Sequence, residues 1–508
     1  MISPSTSRYA WTGRLVGAIA MLAFLAVVIA AREWLGTLSL LDTLADGILL
    51  VMPLSLFSWF LDLFGTQAKT LLLVGLAILM LLVGAGIGGR IASQPIRGQT
   101  LWQRAMAAAG VLFLVMVGLV WLVERESTAI DWQFIVSLGV GSALFGAVLA
   151  LLLPVFIPAL KSVPEARDAG EGTDRRTLLG WGLAAVATLT GIVLVGRDVR
   201  KVATRQVVGE GTAGQLPPAI TPVEDFYIIS KNFVDPQDDR GPDWSIQVDG
   251  LVDTPMTFFR ADLEALGQQE FVSTQLCISN PVGGDLIGTA EWTGVPIAKV
   301  LDRVGVQSDA YKVIFEGNDG YTTAIPVERA RDEHAHIVWL MNGEVLPNNH
   351  GGPVRTVVPG LYGMKTMKWL TKMTLTEDDY QGYWETRSWS DEAVVKTMSR
   401  IDVPGRNDVL DAGPVRVGGV AYAGDRGVSR VEVSTDDGET WTDAEIVEEP
   451  SPDDIAWVIW THQWHATPGE YTLVVRAVET DGTVQTEDTS NTLPDGASGW
   501  HRIRVGVV

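Results

Sequence analysis

The stretch Ser273-Thr-Gln-Leu-Cys-Ile-Ser-Asn280, followed by Pro281-Val-Gly-Gly284, contains Cys277, the only cysteine in a chain of 508 residues. A single cysteine cannot form an internal disulfide, so its thiol is either inert and buried or reactive and metal-binding. Apolar residues typical of strands precede it, and a polar turn with a glycine pair follows it. The pattern predicts a thiol at the end of a strand, where a flexible backbone lets a bulky group approach.

Charge divides the chain into two parts. Residues 1–205 carry 16 of the 38 Lys and Arg and 12 of the 60 Asp and Glu, a net charge of +4. Residues 206–508 therefore carry 22 basic and 48 acidic residues, a net charge of −26. An acidic surface of this size argues against nucleic acid as a partner, because the phosphates would be repelled.

The first part contains long apolar runs. A membrane-spanning helix needs roughly 17–25 predominantly apolar residues. Five runs qualify, at 15–31, 70–87, 105–123, 134–160 and 178–195. A sixth run at 47–64 carries Pro53 and Asp62, and we interpret it as an interfacial or re-entrant segment, with a true span as the alternative.

Loop charges indicate the orientation of these spans. With five spans and a cytoplasmic N-terminus, the acidic Glu124, Glu126 and Asp131 fall outside, and most basic residues near the spans fall inside, as the positive-inside tendency expects. The inside residues are Arg8, Arg14, Arg90, Arg97, Arg104, Lys161, Arg167, Arg175 and Arg176. Everything after about Gly196 is then extracytoplasmic, and six spans that start outside would give the same result. The sequence predicts a multi-pass protein of the cell membrane with its C-terminal domains outside the cytoplasm.

Three features of the first part bear on function. Arg175 and Arg176 precede the last span and resemble a twin-arginine export signal, or they form an ordinary basic flank. The run GAGIGG at 84–89 matches a dinucleotide-binding pattern, but it ends an apolar span, which favours helix packing or a turn at the membrane edge. All six histidines lie beyond residue 205, so a haem held there by paired histidines is excluded.

The second part is predicted to consist of a linker and two domains. Glycine and proline are frequent at 209–222, which predicts a tether. Short strands at 245–252, 311–316, 337–341 and 354–358, with helices at 259–266 and 295–304, predict an α+β domain. Strands at 415–421, 428–434, 457–464, 471–478 and 500–507 predict an all-β domain. The expected division is a helical region at 1–205, a linker at 206–222, and domains at 223–395 and 396–508.

Cys277 lies in the motif LCISN at 276–280, and WTGVPI follows at 292–297. Together these motifs resemble the sulfite oxidase family of molybdopterin-dependent oxidoreductases. In that family a cysteine in this position is the one protein ligand to molybdenum, which the resemblance implies for Cys277. A thiolate is a soft, strongly donating ligand that matches the sulfur ligands supplied by the pterin dithiolene. The resemblance covers about residues 222–389.

Further segments of the resemblance imply contacts to molybdopterin. They are YIISKNFVDP at 227–236, FEGNDGYTTAIP at 315–326, HGGPVRTVVPG at 350–360 and YGMKTMKW at 362–369. The implied cofactor-binding residues are Asn232, Gly317, His350, Arg355, Thr366, Met367 and Lys368. The glycines at 351 and 352 are expected to let the backbone lie close to the pterin. The arginine offers a planar fork of donors. The amides at 366 and 367, with the lysine at 368, are expected to hold the cofactor phosphate.

Two further residues are implied to be catalytic beside Cys277. Tyr321 has the spacing of a family tyrosine whose phenol can donate a hydrogen bond to a metal-bound oxygen. Arg387, in YWETRSW at 383–389, has the position of an arginine that helps to bind an anionic substrate.

The chain departs from sulfite oxidases near the expected substrate position. Pro281 and Val282 stand where those enzymes have arginines, as does Ser230, and an oxyanion favours bidentate arginine contacts. The sequence therefore predicts oxygen-atom transfer on a small substrate without identifying sulfite. A reductase of sulfoxides or other oxo-compounds is one alternative. A cofactor-free, membrane-tethered binding or sensor module is another, and the joint presence of Cys277, Arg355 and Lys368 argues against it.

The last domain carries a resemblance of its own. VEVSTDDGETW at 431–441 resembles the immunoglobulin-like sandwich that follows the molybdenum domain in this family and often mediates dimers. A homodimer through residues 396–508 is therefore expected. Because the chain has no haem site of its own, we also expect a separate electron carrier as a partner.

Overall fold

The computed structural model describes residues 4–35, 37, 39–52, 56, 64, 68–94, 100–123, 132–157, 182, 186, 189–195, 215–232, 235–236 and 240–508. The chain divides into two compact units, Met1–Arg205 and Gln206–Val508. The predicted fifth span at 178–195, the run at 47–64 and the linker at 206–222 lie partly outside the described residues. Arg175 and Arg176 lie wholly outside them.

The first unit is helical in its described parts. Its helices are α1 (Pro4–Leu35), α2 (Leu40–Val51), α3 (Ala68–Ser93), α4 (Leu101–Val123) and α5 (Trp132–Phe156). Four of them, α1, α3, α4 and α5, are long and apolar enough to cross a membrane. Large apolar side chains such as Leu114 and Trp121 point outward from these helices, which suits a lipid environment better than water.

Helices α1 and α3 approach each other at glycines. A Cβ atom on Gly84 would lie 2.6 Å from the Cβ atom of Met21, and one on Gly88 would lie 2.8 Å from the Cα atom of Gly17. The bare backbones allow this close approach, as small residues do at helix contacts in membranes. The helix-packing interpretation of the glycine run at 84–89 is therefore confirmed.

The second unit begins with an α+β region. Its strands are β1 (Ser245–Gly250), β2 (Met256–Phe259), β3 (Gln269–Leu276), β4 (Ile287–Pro296), β5 (Lys312–Gly317), β6 (Thr322–Pro326), β7 (His336–Met341), β8 (Glu344–Val345), β9 (Arg355–Val357) and β10 (Leu370–Thr376). Its helices are α6 (Arg260–Ala265), α7 (Ile297–Val304) and α8 (Val327–Ala330). One sheet has the order β2-β1-β10-β5-β6. The other has the order β3-β4-β7-β8, with β9 paired to β7.

One hydrophobic core draws on both sheets and on α7. It includes Trp244, Phe315, Trp339 and Val300, all almost fully buried. Helix α7 begins two residues later than predicted, because Pro296 disfavours helical backbone at the residue before it and β4 continues to that proline. The predicted strands and helices of the α+β region are otherwise present.

The rest of the second unit is all-β, as predicted. Its strands are β11 (Met398–Val403), β12 (Val409–Leu410), β13 (Gly413–Tyr422), β14 (Val428–Ser434), β15 (Thr442–Asp443), β16 (Glu445–Glu448), β17 (Val458–Ala466), β18 (Gly469–Glu479) and β19 (His501–Val507). Two sheets, β11-β13-β17-β16 and β12-β19-β18-β14-β15, share a core that includes Val417, Val431, Trp460 and Leu473. The prediction missed β11, β12, β15 and β16.

Strand β3 forms an edge of its sheet, and the all-β region covers that edge. The Thr274 amide donates to the carbonyl of Ile455 at 3.1 Å, and the Tyr422 hydroxyl donates to the Thr274 carbonyl at 3.1 Å. The Trp457 amide donates to Thr274 Oγ1 at 2.8 Å. An uncovered edge leaves strand donors and acceptors unpaired. These contacts therefore hold the strand that leads to Cys277.

We predict that Thr274→Val destabilises the chain by about 1–3 kcal/mol, because a buried amide of Trp457 and the Thr289 hydroxyl lose their partner while the side-chain shape is kept. Urea unfolding of the purified chain measures the change. The control is Thr442→Val, at an exposed position of β15, where we expect a change within about 0.5 kcal/mol. Equal effects of the two substitutions would contradict the prediction.

Candidate active site

Cys277 lies directly after β3, as the sequence predicts. Its amide continues the ladder by donating to the Leu286 carbonyl at 3.0 Å, and the chain then turns, with the Asn280 amide donating to the Cys277 carbonyl at 3.0 Å. The Asn280 side chain accepts from the Leu286 amide at 2.9 Å. The turn is thus closed by its own hydrogen bonds, which fixes the position of the cysteine at the strand end.

The thiol is buried beside one hydroxyl. Cys277 is 8% exposed, and its Sγ lies 3.0 Å from Ser279 Oγ. Burial raises the pKa of the Cys277 thiol, whereas the Ser279 hydrogen bond and the positive charge of Lys368 act to lower it. Without a further positive charge the group therefore stays a neutral thiol, and a metal ion would favour the thiolate.

Tyr227 lies close to both Cys277 and Arg355. Burial, followed by the nearby Cys277 sulfur, raises the pKa of Tyr227 well above its usual value, and the Arg355 charge opposes the rise. A Cβ atom on Gly363 would stand 2.9 Å from the Tyr227 hydroxyl and 3.6 Å from the Leu276 carbonyl oxygen. The segment before β1, the end of β3 and the loop at 361–368 therefore meet at one point, where glycine leaves the needed space.

Arg355 begins β9 and is 5% exposed. Its guanidinium donates to the His350 carbonyl at 2.9 Å, to Thr366 Oγ1 at 3.0 Å and to the Thr356 carbonyl at 3.3 Å, and it lies 5.3 Å from the Trp292 ring. Within the described part of the chain, no carboxylate pairs with it. Burial lowers the pKa of Arg355 to about 10, so the group stays charged at neutral pH. A bound anion would compensate this charge.

His350 is buried beneath the segment at 223–227. Its Nε2 donates to the Val223 carbonyl at 3.0 Å, and its ring meets the Phe226 ring edge-on at 5.7 Å. Burial, with the charges of Lys368 and Arg355, lowers the pKa of His350 to about 3. The neutral ring that donates through Nε2 keeps Nδ1 as an acceptor.

The loop at 366–368 is closed by hydrogen bonds within the protein. The Thr366 amide donates to the Gly363 carbonyl at 3.2 Å, and the Met367 amide donates to Thr356 Oγ1 at 2.7 Å. Both amides thus have acceptors within the protein in this structure. The Lys368 ammonium donates to the carbonyls of Ile229 at 3.0 Å and Asn349 at 2.9 Å, and it provides the positive charge of the loop.

The glycine pair before Pro353 packs against the chain itself. A Cβ atom on Gly351, whose φ is +101°, would lie 2.8 Å from the Lys368 side chain, and one on Gly352 would overlap the Leu346 carbonyl. The missing side chains therefore let the chain pack against its own loop and leave room for the lysine stem.

Asp319 brings two predicted residues together. Asn232 Nδ2 donates to Asp319 Oδ2 at 2.8 Å. A Cβ atom on Gly317 would meet Asp319 Oδ1 at 2.8 Å, Met367 Sδ at 2.9 Å and the Lys368 carbonyl at 2.9 Å. The segment at 227–232, the end of β5 and the loop at 366–368 are thus adjacent.

Tyr321 and Arg387 meet around Tyr383. The Tyr321 hydroxyl donates to the Met364 carbonyl at 2.6 Å, and its ring lies 5.9 Å from the Tyr383 ring. Burial, followed by the Glu385 carboxylate, raises the pKa of Tyr321 well above its usual value. The Arg387 guanidinium stacks 3.7 Å from the centre of the Tyr383 ring and donates to its carbonyl at 2.6 Å. Met364 directly follows Gly363, which lies beside Tyr227 and the end of β3. The loop at 361–368 therefore connects Tyr321 to the region around Cys277.

Two family models match the chain. A model described as oxidoreductase molybdopterin binding domain matches residues 233–384, and one described as Mo-co oxidoreductase dimerisation domain matches residues 392–508. Mitochondrial sulfite oxidase of Mus musculus is 33% identical over 258 residues, which cover 44% of this chain and 47% of that protein. The chain belongs to the sulfite oxidase family of molybdopterin-dependent oxidoreductases.

Other relatives extend this comparison. Nitrate reductase [NADH] 1 of Arabidopsis thaliana is 29% identical over 303 residues, or 48% of this chain and 33% of that protein. The chain thus spans about half the length of the sulfite oxidase and a third of the nitrate reductase that it matches. The solved structure of the sulfane dehydrogenase SoxCD from Paracoccus pantotrophus aligns at a TM-score of 0.49 and 22% identity, covering 57% of this chain and 84% of that chain.

The molybdenum cofactor of the family fits this donor set. Among the described residues, no group of three His, Cys, Asp or Glu side chains could hold a metal. A metal at Cys277 must therefore bring its other ligands, as a metal carried by a pterin dithiolene does. The uncompensated Arg355 and the nearby Lys368 suit the anionic pterin and phosphate.

Sequence reasoning missed Tyr227, Ser279 and Asp319 as members of the site. Ser279 stands two residues after the cysteine in a polar turn, a position from which a short hydroxyl can reach back. Asp319 precedes Gly320 in a turn, where aspartate commonly bonds to nearby amides, here that of Tyr321 at 3.0 Å. Tyr227 gave no signal, because only the folded chain places it beside the thiol.

The all-β region also holds the loop that follows Cys277. Arg400 donates to the Gly284 carbonyl at 2.8 Å, and the His501 ring packs against Gly283, where any Cβ atom would collide with it. His501 Nδ1 accepts from the Ile401 amide at 3.0 Å. Burial, followed by the charges of Arg406 and Arg400, lowers the pKa of His501 to about 4.

The depressed pKa predicts a pH-dependent stability. Between about pH 4 and 6.5 the unfolded chain protonates His501 and the folded chain does not, so the free energy of unfolding rises with pH over this window and falls on acidification. We expect His501→Asn, whose side-chain oxygen can still accept from the Ile401 amide, to remove about 3 kcal/mol of that dependence.

Urea unfolding from pH 4 to pH 7 measures the slope. The control is His465→Asn at an exposed position of β17, which should keep the parent's slope. An unchanged slope in His501→Asn would contradict the prediction.

Proposed function

We propose that this chain is a membrane-anchored oxidoreductase that uses a molybdenum–molybdopterin cofactor to transfer an oxygen atom to or from a small substrate outside the cytoplasm. The observation that carries the proposal is the buried guanidinium of Arg355, which no carboxylate of the described residues pairs with, near Tyr227, a residue that also lies near the sole thiol, Cys277. A cofactor-free binding module gains nothing from a buried guanidinium without a counter-ion, because such a charge costs stability. A bound anionic group removes that cost.

The residues of the site take distinct roles in the proposal. When bound, the cofactor would supply the two-electron chemistry of molybdenum. Cys277 would ligate the metal, with Ser279 holding the sulfur through its hydroxyl. Tyr321 would present a phenol to the reacting oxygen, and Arg387 would bind the substrate. The residues proposed to surround the pterin are Asn232, Gly317, His350, Arg355, Thr366, Met367 and Lys368.

We assign residues 1–205 to a membrane anchor of about five spans, 206–222 to a linker, 223–395 to the cofactor-binding domain and 396–508 to an immunoglobulin-like domain. The four long apolar helices support the anchor, and the loop charges support an extracytoplasmic active site. Two sheets around one core support the immunoglobulin-like sandwich.

Two partners follow from the proposal. The match to a dimerisation domain supports a homodimer through residues 396–508. Electrons would pass to or from a separate carrier, because residues 1–205 contain no histidine that could hold a haem.

Reduction of a sulfoxide or another oxo-compound is the second candidate. Pro281 and Val282 supply no charge beside the cysteine turn, and the Arg387 guanidinium stacks on Tyr383. Several arginine side chains with free guanidinium groups would favour an anionic substrate. This position lacks such a set, so it suits a neutral oxo-compound better.

Metal analysis of the full-length protein, purified from a host that makes the cofactor, tests the proposal. We expect about one molybdenum per chain, together with sulfite oxidation or sulfoxide reduction when both are assayed with artificial dyes. Cys277→Ser is expected to abolish turnover, because a serine oxygen is a harder, weaker donor than a thiolate. Its thermal unfolding without cofactor should match that of the parent. A parent protein without molybdenum would refute the proposal.

Substitution of Arg387 distinguishes the substrate classes. Hydrogen bonds to a charged group contribute about 1.5–3 kcal/mol, so Arg387→Gln should raise the KM for sulfite about tenfold or more. The KM for a neutral sulfoxide should stay at the parent value. Arg416→Gln, at an exposed position of β13, is the control and should change neither constant. A KM for sulfite equal to that of the parent would remove Arg387 from the substrate site.

A further inference from the structure

Two lysines are buried outside the residues assigned above. The side chains of Lys365 and Lys312 are 1% and 2% exposed. Lys365 Nζ lies 2.5 Å from Glu385 Oε1 and 3.0 Å from Asp391 Oδ1. Lys312 Nζ lies 2.7 Å from the other oxygen of Asp391 and 2.5 Å from Asp379 Oδ1. We call Lys312, Lys365, Glu385 and Asp391 the lysine–carboxylate cluster.

Stability alone does not account for this cluster. Taking paired charges out of water is costly, and apolar residues of similar volume often give a domain equal or greater stability. The Glu385 side chain is fully buried, and its Oε1 also accepts from Thr323 Oγ1 at 2.8 Å. Burial alone would raise the pKa of Asp391, but Lys312 and Lys365 hold it below its usual value, so the carboxylate stays ionised. The two lysines therefore hold Asp391 as a carboxylate in a fixed position.

The cluster holds a segment with little structure of its own. Between β10 and β11 the described regular structure is one short 3₁₀ turn, Glu385–Arg387. Asp379, Glu385 and Asp391 stand near the beginning, middle and end of the stretch at 379–391, and Tyr383 and Arg387 lie between them. The lysines belong to the folded body of the domain, because Lys312 begins β5 and Lys365 ends a 3₁₀ turn at Gly363–Lys365.

Lys365 also adjoins the cofactor side of the site. The carbonyl of the residue before it, Met364, accepts from the Tyr321 hydroxyl at 2.6 Å. The hydroxyl of the residue after it, Thr366, accepts from Arg355 at 3.0 Å. One side chain thus joins the loop at 361–368 to the segment that carries Arg387.

We propose that Lys365 and Lys312 are positioning residues, which hold the segment at 379–391 against the loop at 361–368 and so fix Arg387 for an anionic substrate beside the cofactor. The inference rests on the proposed function, in that it takes the loop and Arg387 to serve one site. Loss of the cluster should then weaken binding of an anion without changing cofactor content or the chemical step. The expected signature is a raised KM with an unchanged kcat.

The test variant is Lys365→Met with Glu385→Gln. It removes both charges together and keeps an acceptor for Thr323, so no buried charge of this pair is left alone. The matched control is Lys372→Met with Asp249→Asn, an ion pair at 3.1 Å between β10 and β1 whose side chains are about one third exposed. Both are made in the full chain.

The first measurement needs no cofactor. The protein is made in a host that cannot make molybdopterin, and mass spectrometry of the peptides measures the rate of trypsin cleavage after Arg387. We expect the cluster variant to be cut about tenfold faster than the parent and the control. The second measurement uses loaded enzyme. We expect the KM for sulfite to rise about tenfold, with kcat and molybdenum content within about twofold of the parent.

Each other outcome is decisive. Cleavage after Arg387 at the parent's rate would overturn the positioning role. A fall in kcat that parallels a loss of molybdenum would also overturn it, because the cluster would then support the cofactor loop alone. A parent enzyme without molybdenum refutes the proposed function instead, and the trypsin comparison still decides whether the cluster holds the segment.

Discussion

The buried guanidinium of Arg355 is the constraint on which the site depends. Taking such a charge out of water costs on the order of several kcal/mol, and the neutral oxygens around it offset only part of that cost. Its bonds to the His350 carbonyl and the Thr366 hydroxyl also join β9 to the loop at 361–368. The positive charge is therefore fixed in place before any anion arrives, which is the arrangement that binds an anion without reorganisation.

The cysteine is held from two directions, and this explains why the all-β region belongs to the site. Inside the α+β region β3 pairs with β4, and on its outer edge Thr274 bonds to Ile455, Tyr422 and Trp457. The turn after Cys277 is held in the same way by Arg400. A residue on a free edge strand would move with that strand, whereas a residue held on both edges keeps one position.

Local pattern predicted a large part of this arrangement and failed where contacts between distant segments decide. The strand that ends at Cys277 and a helix at 295–304 followed from the pattern of polarity, although Pro296 moves the start of that helix to Ile297. The amides of Thr366 and Met367 did not, because sequence spacing cannot show that Gly363 and Thr356 already accept from them. Nor could spacing show that the glycine pair at 351 and 352 packs against the side chain of Lys368 and the carbonyl of Leu346.

The buried cations of the described α+β region differ in whether a carboxylate pairs with them. Lys312 and Lys365 each contact two carboxylates, and these ion pairs hold backbone segments together. Arg355 contacts none within the described residues, so its charge remains for a ligand. Arg387, the residue proposed to bind the substrate, stacks on Tyr383. Among the described residues, an unpaired charge thus lies at Arg355, on the proposed cofactor side, while the two paired lysines hold the segment that carries Arg387.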